Sequence, residues 1–191
     1  MLSQRWRVRL TNILLLGYGL FSVSCVDATL SSYVPDLLEA DGIQIKDDWA
    51  GFGWIEAHYS LQRHQQGFKG TAHWRANLRG RIPEAANEDV EIPLDVAQSF
   101  LKTLARTSLR EGKYKPKIDH TDDYPSISIE FEVKEEIVKI FTESQGEGNI
   151  PWGVTIRGKT FVVGSDIPAR ALKELEPYLK RTVLQKLLEQ K

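Results

Sequence analysis

Polar and apolar residues alternate along two neighbouring stretches of the chain, residues 55–62 and 68–78. A period of two is typical of a β-strand that buries one face, because successive side chains point to opposite sides of the sheet. Only a few polar residues and a glycine separate the two stretches, so we predict an antiparallel hairpin that closes near Gln66-Gly67. The two central turn residues are Gln65-Gln66 or Gln66-Gly67, and the pattern leaves both registers open.

Shorter segments of the same character predict the other strands of a sheet. Segment 127–133 alternates most clearly, and segments 154–156 and 160–163 flank Arg157-Gly158-Lys159, which predicts a second hairpin. The remaining predicted strands are residues 43–46, 90–93 and 137–141.

Apolar residues at helical spacing predict two helices. The first has Asp95 as its candidate N-cap and carries its apolar stripe as far as Leu109. The second begins after Asp166, accommodates Pro168 in its first turn, and is expected to kink or divide at Pro177. The predicted order is β-β-β-α-β-β-β-β-α, with residues 90–93 as an additional short strand before the first helix. It indicates an α+β fold of two layers, in which a mainly antiparallel sheet carries two helices packed on one face.

The composition is that of a globular protein. The 191 residues are 41% hydrophobic and 27% charged, which excludes a disordered chain and a membrane protein with several spans. The formal net charge is -1, and three of the 25 basic residues, Arg5, Arg7 and Arg9, precede the predicted domain. The remainder is therefore mildly acidic. We expect no nucleic-acid partner, because phosphate binding requires clustered basic residues.

The N-terminal residues have the layout of a secretory signal peptide. Basic residues between positions 5 and 9 precede an apolar run over residues 13–26, which is shorter than the roughly 20 residues that a membrane-spanning helix needs. We therefore predict an exported protein, with a signal peptide over residues 1–24, a tether over residues 25–33 and a single globular α+β domain over residues 34–191.

The end of the apolar run resembles the lipobox of bacterial lipoproteins. Ser22-Val23-Ser24-Cys25 places a small residue before the single cysteine of the chain. The resemblance is limited to this signal, and it implies that Cys25 carries lipid and holds the protein at a membrane of the bacterial cell envelope. Two alternatives stay open. One is cleavage after Ala28, which gives a freely secreted or periplasmic protein, and the other is an uncleaved signal anchor.

Two groups of histidines and carboxylates are weak candidates for a metal site. His58 and His73 fall on the polar side of the predicted hairpin and lie opposite each other if Gln65-Gln66 form the turn; Glu56 is then a candidate third ligand. A separate polar loop contains a second group, His120, Asp122 and Asp123.

Exposed imidazoles and a solvated turn explain both groups more economically than a metal does, because neither shows a recognised ligand spacing. The chain also contains no motif of a catalytic nucleophile or a nucleotide-binding loop. We therefore predict no cofactor, no metal and no catalytic residue.

Aromatic residues are concentrated between positions 49 and 74. Trp49, Phe52 and Trp54 lie where a loop meets the predicted sheet, so they are candidates for contact with an unknown protein partner, since aromatic side chains are efficient interface anchors. Core packing is the favoured interpretation of the group as a whole.

These observations favour a non-catalytic binding or interaction module, held in the cell envelope by lipid on Cys25. The first alternative is a secreted, metal-assisted hydrolase that uses the histidine groups. The second is an inhibitor-like domain that presents the loop around Trp54 to a protein partner.

Overall fold

The structure is a computed structural model that describes residues 28–50, 53–78, 84–119 and 124–179. The predicted signal peptide and Cys25 lie outside these ranges.

Ten strands and three α-helices are described. The strands are β1 (Ala28–Thr29), β2 (Gly42–Ala50), β3 (Gly53–His64), β4 (Gly67–Leu78), β5 (Glu84–Pro93), β6 (Ser108–Glu111), β7 (Tyr124–Val133), β8 (Glu136–Thr142), β9 (Trp152–Ile156) and β10 (Lys159–Val163). The helices are α1 (Leu30–Tyr33), α2 (Leu94–Ala105) and α3 (Ile167–Leu175), and short 3-10 turns lie at Leu37–Glu39 and Glu147–Asn149.

The strands form one sheet in the order β1-β6-β10-β9-β8-β7-β2-β3-β4-β5, and each neighbouring pair is antiparallel. The predicted α+β class and mainly antiparallel sheet are therefore confirmed. Two strands were not predicted. β1 and β6 have only two and four residues, which is too short for a period of two to be recognised.

The chain passes twice through the same order of elements. A meander of four strands, β2 to β5, leads into α2, and a second meander, β7 to β10, leads into α3. The meanders join where β2 pairs with β7, along the whole nine-residue length of β2. The first strand of each meander thus lies at the centre of the sheet.

Alternation along the strands gives the sheet two chemically different faces. The inner face carries buried apolar side chains, such as Ile45 of β2, Tyr59 of β3 and Ile129 of β7, which are cross-strand neighbours. The outer face carries polar side chains, such as Lys46 and its neighbours His58 and Ser128. In these central strands, the buried apolar side chains therefore lie on one face of the sheet.

The central hairpin has the register set by a two-residue turn at Gln65-Gln66. His64 pairs with Gly67, which places Tyr59 opposite Ala72 and His58 opposite His73. One of the two registers left open by the sequence is thereby selected.

Helix α2 contacts β4, β5 and α3, and its buried residues are Ala97, Phe100, Leu101 and Leu104. The predicted extension of this helix to Leu109 is wrong. Leu109 lies in β6 opposite Ala28, because the backbone of this segment pairs with β1 and β10 instead of continuing the helix. The N-cap position is occupied by Pro93, and Asp95 lies in the first turn.

Helix α3 begins after Asp166, as predicted, and Pro168 lies in its first turn. The Asp166 carboxylate accepts a hydrogen bond from the Arg170 guanidinium at 3.0 Å, and no side-chain cap to the backbone forms. The helix ends at Leu175, shortly before Pro177. The expected continuation after Pro177 falls largely outside the described residues, which end at 179.

Residues 28–33 contribute to the described fold. Residues 28–33, assigned above to the tether, include β1, which pairs with β6, and α1, whose Leu30 is fully buried. Tyr33 packs against Phe161 with ring centroids 4.7 Å apart. Apolar residues of this segment therefore close one edge of the core.

Tyr59 gives the core a testable pH dependence. Its side chain is buried on the inner face against Trp74, and this burial raises the pKa of the Tyr59 phenol well above its ordinary value near 10. In the unfolded chain the phenol ionises first, so the folded state loses stability as the pH rises above about 10.

We expect the free energy of unfolding to fall with pH more steeply in the wild type than in Tyr59→Phe, by up to about 1.4 kcal/mol per pH unit. Urea unfolding between pH 8 and pH 11 measures this slope. Tyr178→Phe is the matched control, because it keeps Tyr59 and should follow the wild type. Equal slopes for the wild type and Tyr59→Phe would show that the phenol does not contribute.

Candidate functional site

The outer face brings the two hairpin histidines together, but each imidazole is engaged elsewhere. His58 Nε2 lies 2.9 Å from Asp48 Oδ1 on β2, and His73 Nδ1 lies 2.6 Å from Asn87 Oδ1 on β5. The two imidazoles therefore bond to different neighbouring strands, His58 to β2 and His73 to β5. The outer side chain of Glu56 pairs with Arg75 at 3.5 Å.

Metal binding at these histidines gains no support from their neighbours. Within the described ranges, no three His, Cys, Asp or Glu side chains come together in a way that holds a metal ion. The second candidate group, His120, Asp122 and Asp123, lies outside the described residues. The preceding Asp119 is exposed, and its backbone N–H donates to Gln145 Oε1.

The aromatic residues separate onto the two faces of the sheet. Trp49 is on the inner face, as a cross-strand neighbour of Ile55, and Trp54 is on the outer face, where Arg75 lies 5.3 Å from its ring centroid. Tyr59 and Trp74 are buried in the core. Phe52 lies outside the described residues. Trp54 is half-buried, and its contact with a protein partner stays a prediction.

Part of the outer face is covered by residues 112–119, which we call the covering segment. Gly112 approaches Val162 of β10, and the Tyr114 ring packs on the edge of Phe141 of β8, with centroids 4.8 Å apart. The Glu143 backbone N–H donates to Tyr114 Oη at 2.8 Å. The covering segment therefore shields the β8–β10 side of the outer face.

Buried hydroxyl groups fasten the covering segment to the sheet. Ser144 is fully buried, accepts a hydrogen bond from the Lys117 backbone N–H at 3.1 Å, and donates to the Pro151 carbonyl at 3.0 Å. Thr142 is also buried, and its Oγ1 accepts from the Ser144 N–H at 2.9 Å. Since unpaired buried polar groups are costly, these bonds favour one position of the segment.

A groove of about 430 Å³ lies on the outer face beside this covered region. Its walls come from four adjacent strands. They include Lys46 and Asp48 of β2, Ser126 and Ser128 of β7, and Lys139 and Phe141 of β8. The volume is within the range of small-molecule sites. The groove sits where the two meanders meet, on a paired and therefore rigid floor.

Phe141 is held in the groove wall by the shape of the neighbouring strand. It is a cross-strand neighbour of both Ser128 and Gly153, and a side-chain carbon at Gly153 would come within 2.5 Å of the Phe141 ring. The Phe141 ring therefore lies over Gly153, and the Tyr114 ring packs against the Phe141 ring. No sequence motif marks Ser128, Phe141 or Gly153, because each occupies an ordinary outer position of an alternating strand.

A larger cavity, of about 790 Å³, lies at the β5 edge of the sheet between Lys69, Asp89, Glu91, Pro177 and Tyr178. Lys69 and Glu91 form an ion pair there at 3.1 Å. One wall of this cavity is the chain immediately before residue 180, where the described range ends. The groove on the outer face, with walls from four adjacent strands, is the candidate site.

Comparisons with protein-family models, with curated proteins and with solved structures find no match to this chain. None of the described helices combines the length and the apolar content needed to cross a membrane. The function is therefore inferred from the geometry of the outer face.

Gly153→Ala tests the packing of the groove wall. The added methyl group displaces the Phe141 ring, so we expect a loss of about 1–3 kcal/mol in the free energy of unfolding, measured by urea titration. Replacing Phe141 by leucine in the Gly153→Ala background should recover part of the loss.

Gly164→Ala is the matched control, because a side-chain carbon there meets no atom within 4 Å, and the change should stay within about 0.5 kcal/mol. A Gly153→Ala variant as stable as this control would contradict the described position of Phe141.

Proposed function

We propose that this protein is a lipid-anchored binding module of the bacterial cell envelope, which acts through the groove on its outer face and is held at the membrane by lipid on Cys25. The observation that carries the binding role is the groove itself. Its polar lining lies on the centre of the sheet, and its wall is fixed by the Phe141–Tyr114 contact and the buried Ser144 hydroxyl.

Charged side chains on this face are held in defined positions, which favours recognition of a ligand. Lys139 Nζ lies 2.8 Å from Glu130 Oε1, and Asp48 lies 2.9 Å from His58 Nε2. These pairs are half-exposed and contribute little to stability. They orient polar groups along the groove, and a ligand gains affinity when fewer side chains must be ordered on binding.

The position of β1 is compatible with an anchor at Cys25. β1 begins at Ala28, three residues after Cys25, and lies at one edge of the sheet. The groove is centred on β7 and β8, four to five strands from that edge, or about 20–25 Å along the sheet. A lipid at Cys25 would hold the β1 edge at the bilayer and leave the groove open to solvent.

The same proposal places α2 and α3 together as one layer on the inner face. Thr103 of α2 donates to Glu174 of α3 at 2.8 Å. The buried residues of α3, which are Pro168, Ala171, Leu172 and Leu175, supply an apolar stripe for this contact. With the helices on the inner side, ligand access is confined to the outer face.

Intact mass of the protein recovered from membrane and soluble fractions tests the anchor. We expect a membrane-bound species that begins at Cys25 and carries added acyl mass, and we expect Cys25→Ala to abolish it. Ser24→Ala is the matched control, because it keeps a small residue before the cysteine and should still be acylated. A soluble species that begins at Thr29 in the wild type and in Cys25→Ala alike would overturn the lipid anchor.

A further inference from the structure

Four charged side chains line the groove within the described ranges, and ion pairing divides them into two classes. Asp48 is paired with His58, and Lys139 with Glu130. The other two, Lys46 and Glu143, are exposed and form no ion pair with any residue in the described part of the chain. The groove therefore presents one positive and one negative charge that are free to meet a ligand.

The two unpaired charges lie at different ends of the groove. Lys46 is the cross-strand neighbour of Ser128, which in turn is the neighbour of Phe141 on β8. Glu143 follows two residues after Phe141. Two strand spacings across the sheet and two residues along it separate the α-carbons of Lys46 and Glu143 by about 12 Å.

The surface between these charges has hydrogen-bonding and apolar parts. Ser126 and Ser128 place hydroxyl groups on the β7 floor, Thr155 adds another from β9, and the Phe141 ring supplies an apolar wall. Hydroxyl groups both donate and accept, as the peptide backbone does. A ligand that matches this surface carries a carboxylate at one end, an ammonium at the other, and amide groups between them.

We propose that the groove binds a short peptide of two to four residues by its free ends, with the carboxylate at Lys46 and the ammonium at Glu143. The inference rests on the proposed binding role of the groove. Three residues in extended conformation span about 10 Å, which fits the separation of the two charges once their side chains turn toward the ligand. Pairing both ends leaves no charge of the ligand or the groove uncompensated.

Titration calorimetry of the full mature chain with trialanine and with Ala-Phe-Ala tests this inference. We expect binding of the free peptides, and a roughly five- to ten-fold weaker affinity for the N-acetylated and for the C-amidated form of each. Each blocked form removes the charge at one end and leaves the remainder of the peptide unchanged.

Two variants connect each end of the peptide with its proposed partner. Lys46→Met should remove the preference for a free carboxylate over an amide but keep the preference for a free amine. Glu143→Gln should do the reverse. Lys69→Met, which removes a lysine outside the groove, is the control and should keep both preferences.

The outcomes separate the inference from the proposed function. Equal affinity for free and blocked peptides, or a preference unaffected by Lys46→Met and Glu143→Gln, overturns recognition of the ends and leaves the groove as a binding site. If the N-acetylated peptide keeps its affinity and the C-amidated peptide loses it, the groove contains an anion site at Lys46 alone. That result also overturns recognition of both ends. No saturable binding of any probe overturns the inference, while the intact-mass measurement judges the anchor independently.

Discussion

The antiparallel pairing of β2 with β7 is the interaction on which the rest of the structure depends. It joins two four-stranded meanders along the full length of β2 and so converts them into one sheet. It also fixes which side chains face the core, since a shift of one residue in an alternating strand would exchange the two faces. Ile45 beside Ile129 and Lys46 beside Ser128 exist as inner and outer neighbours only in this register.

The groove is a direct consequence of that pairing. Lys46 reaches it from the first meander, and Ser128 and Phe141 from the second. Gly153 of β9 has no side chain, which leaves room for the Phe141 ring. The covering segment closes the same side of the groove through the contact of Tyr114 with Phe141. The groove at the junction of the two meanders therefore requires both halves of the sheet, although most of its residues lie on regular strands.

Much of the fold could be predicted from the sequence, because its long strands alternate clearly. The hairpin from Gly53 to Leu78 and the start of α3 followed from local patterns. Leu109 was misplaced because its spacing continues the apolar stripe of α2, whereas the pairing of β6 with β1 and β10 is long-range and leaves no local signal. Residues 28–33 leave no local signal either, since Leu30 is buried by distant residues.

The candidate site was less predictable than the fold. One of the two registers left open by the sequence places His58 opposite His73, and the structure has this register. The bonds of the two imidazoles to Asp48 and Asn87 depend on strands β2 and β5, which flank the hairpin. Trp49 and Trp54 are close in sequence, yet Trp49 pairs with Ile55 and Trp54 with Ala50, so the two lie on opposite faces. The groove combines residues from four strands, and none of them belongs to a motif.

Hydrogen exchange of the full mature chain tests the central role of the β2–β7 pairing most directly. If this pairing unites the two meanders, the backbone amides bonded between β2 and β7 should exchange last, and only through global unfolding, with a free energy of opening equal to that from urea titration. The edge strand β5 should open at lower free energy. Early exchange at the β2–β7 junction, with the two meanders still protected separately, would contradict the account, because the groove would then lie between two independently stable halves.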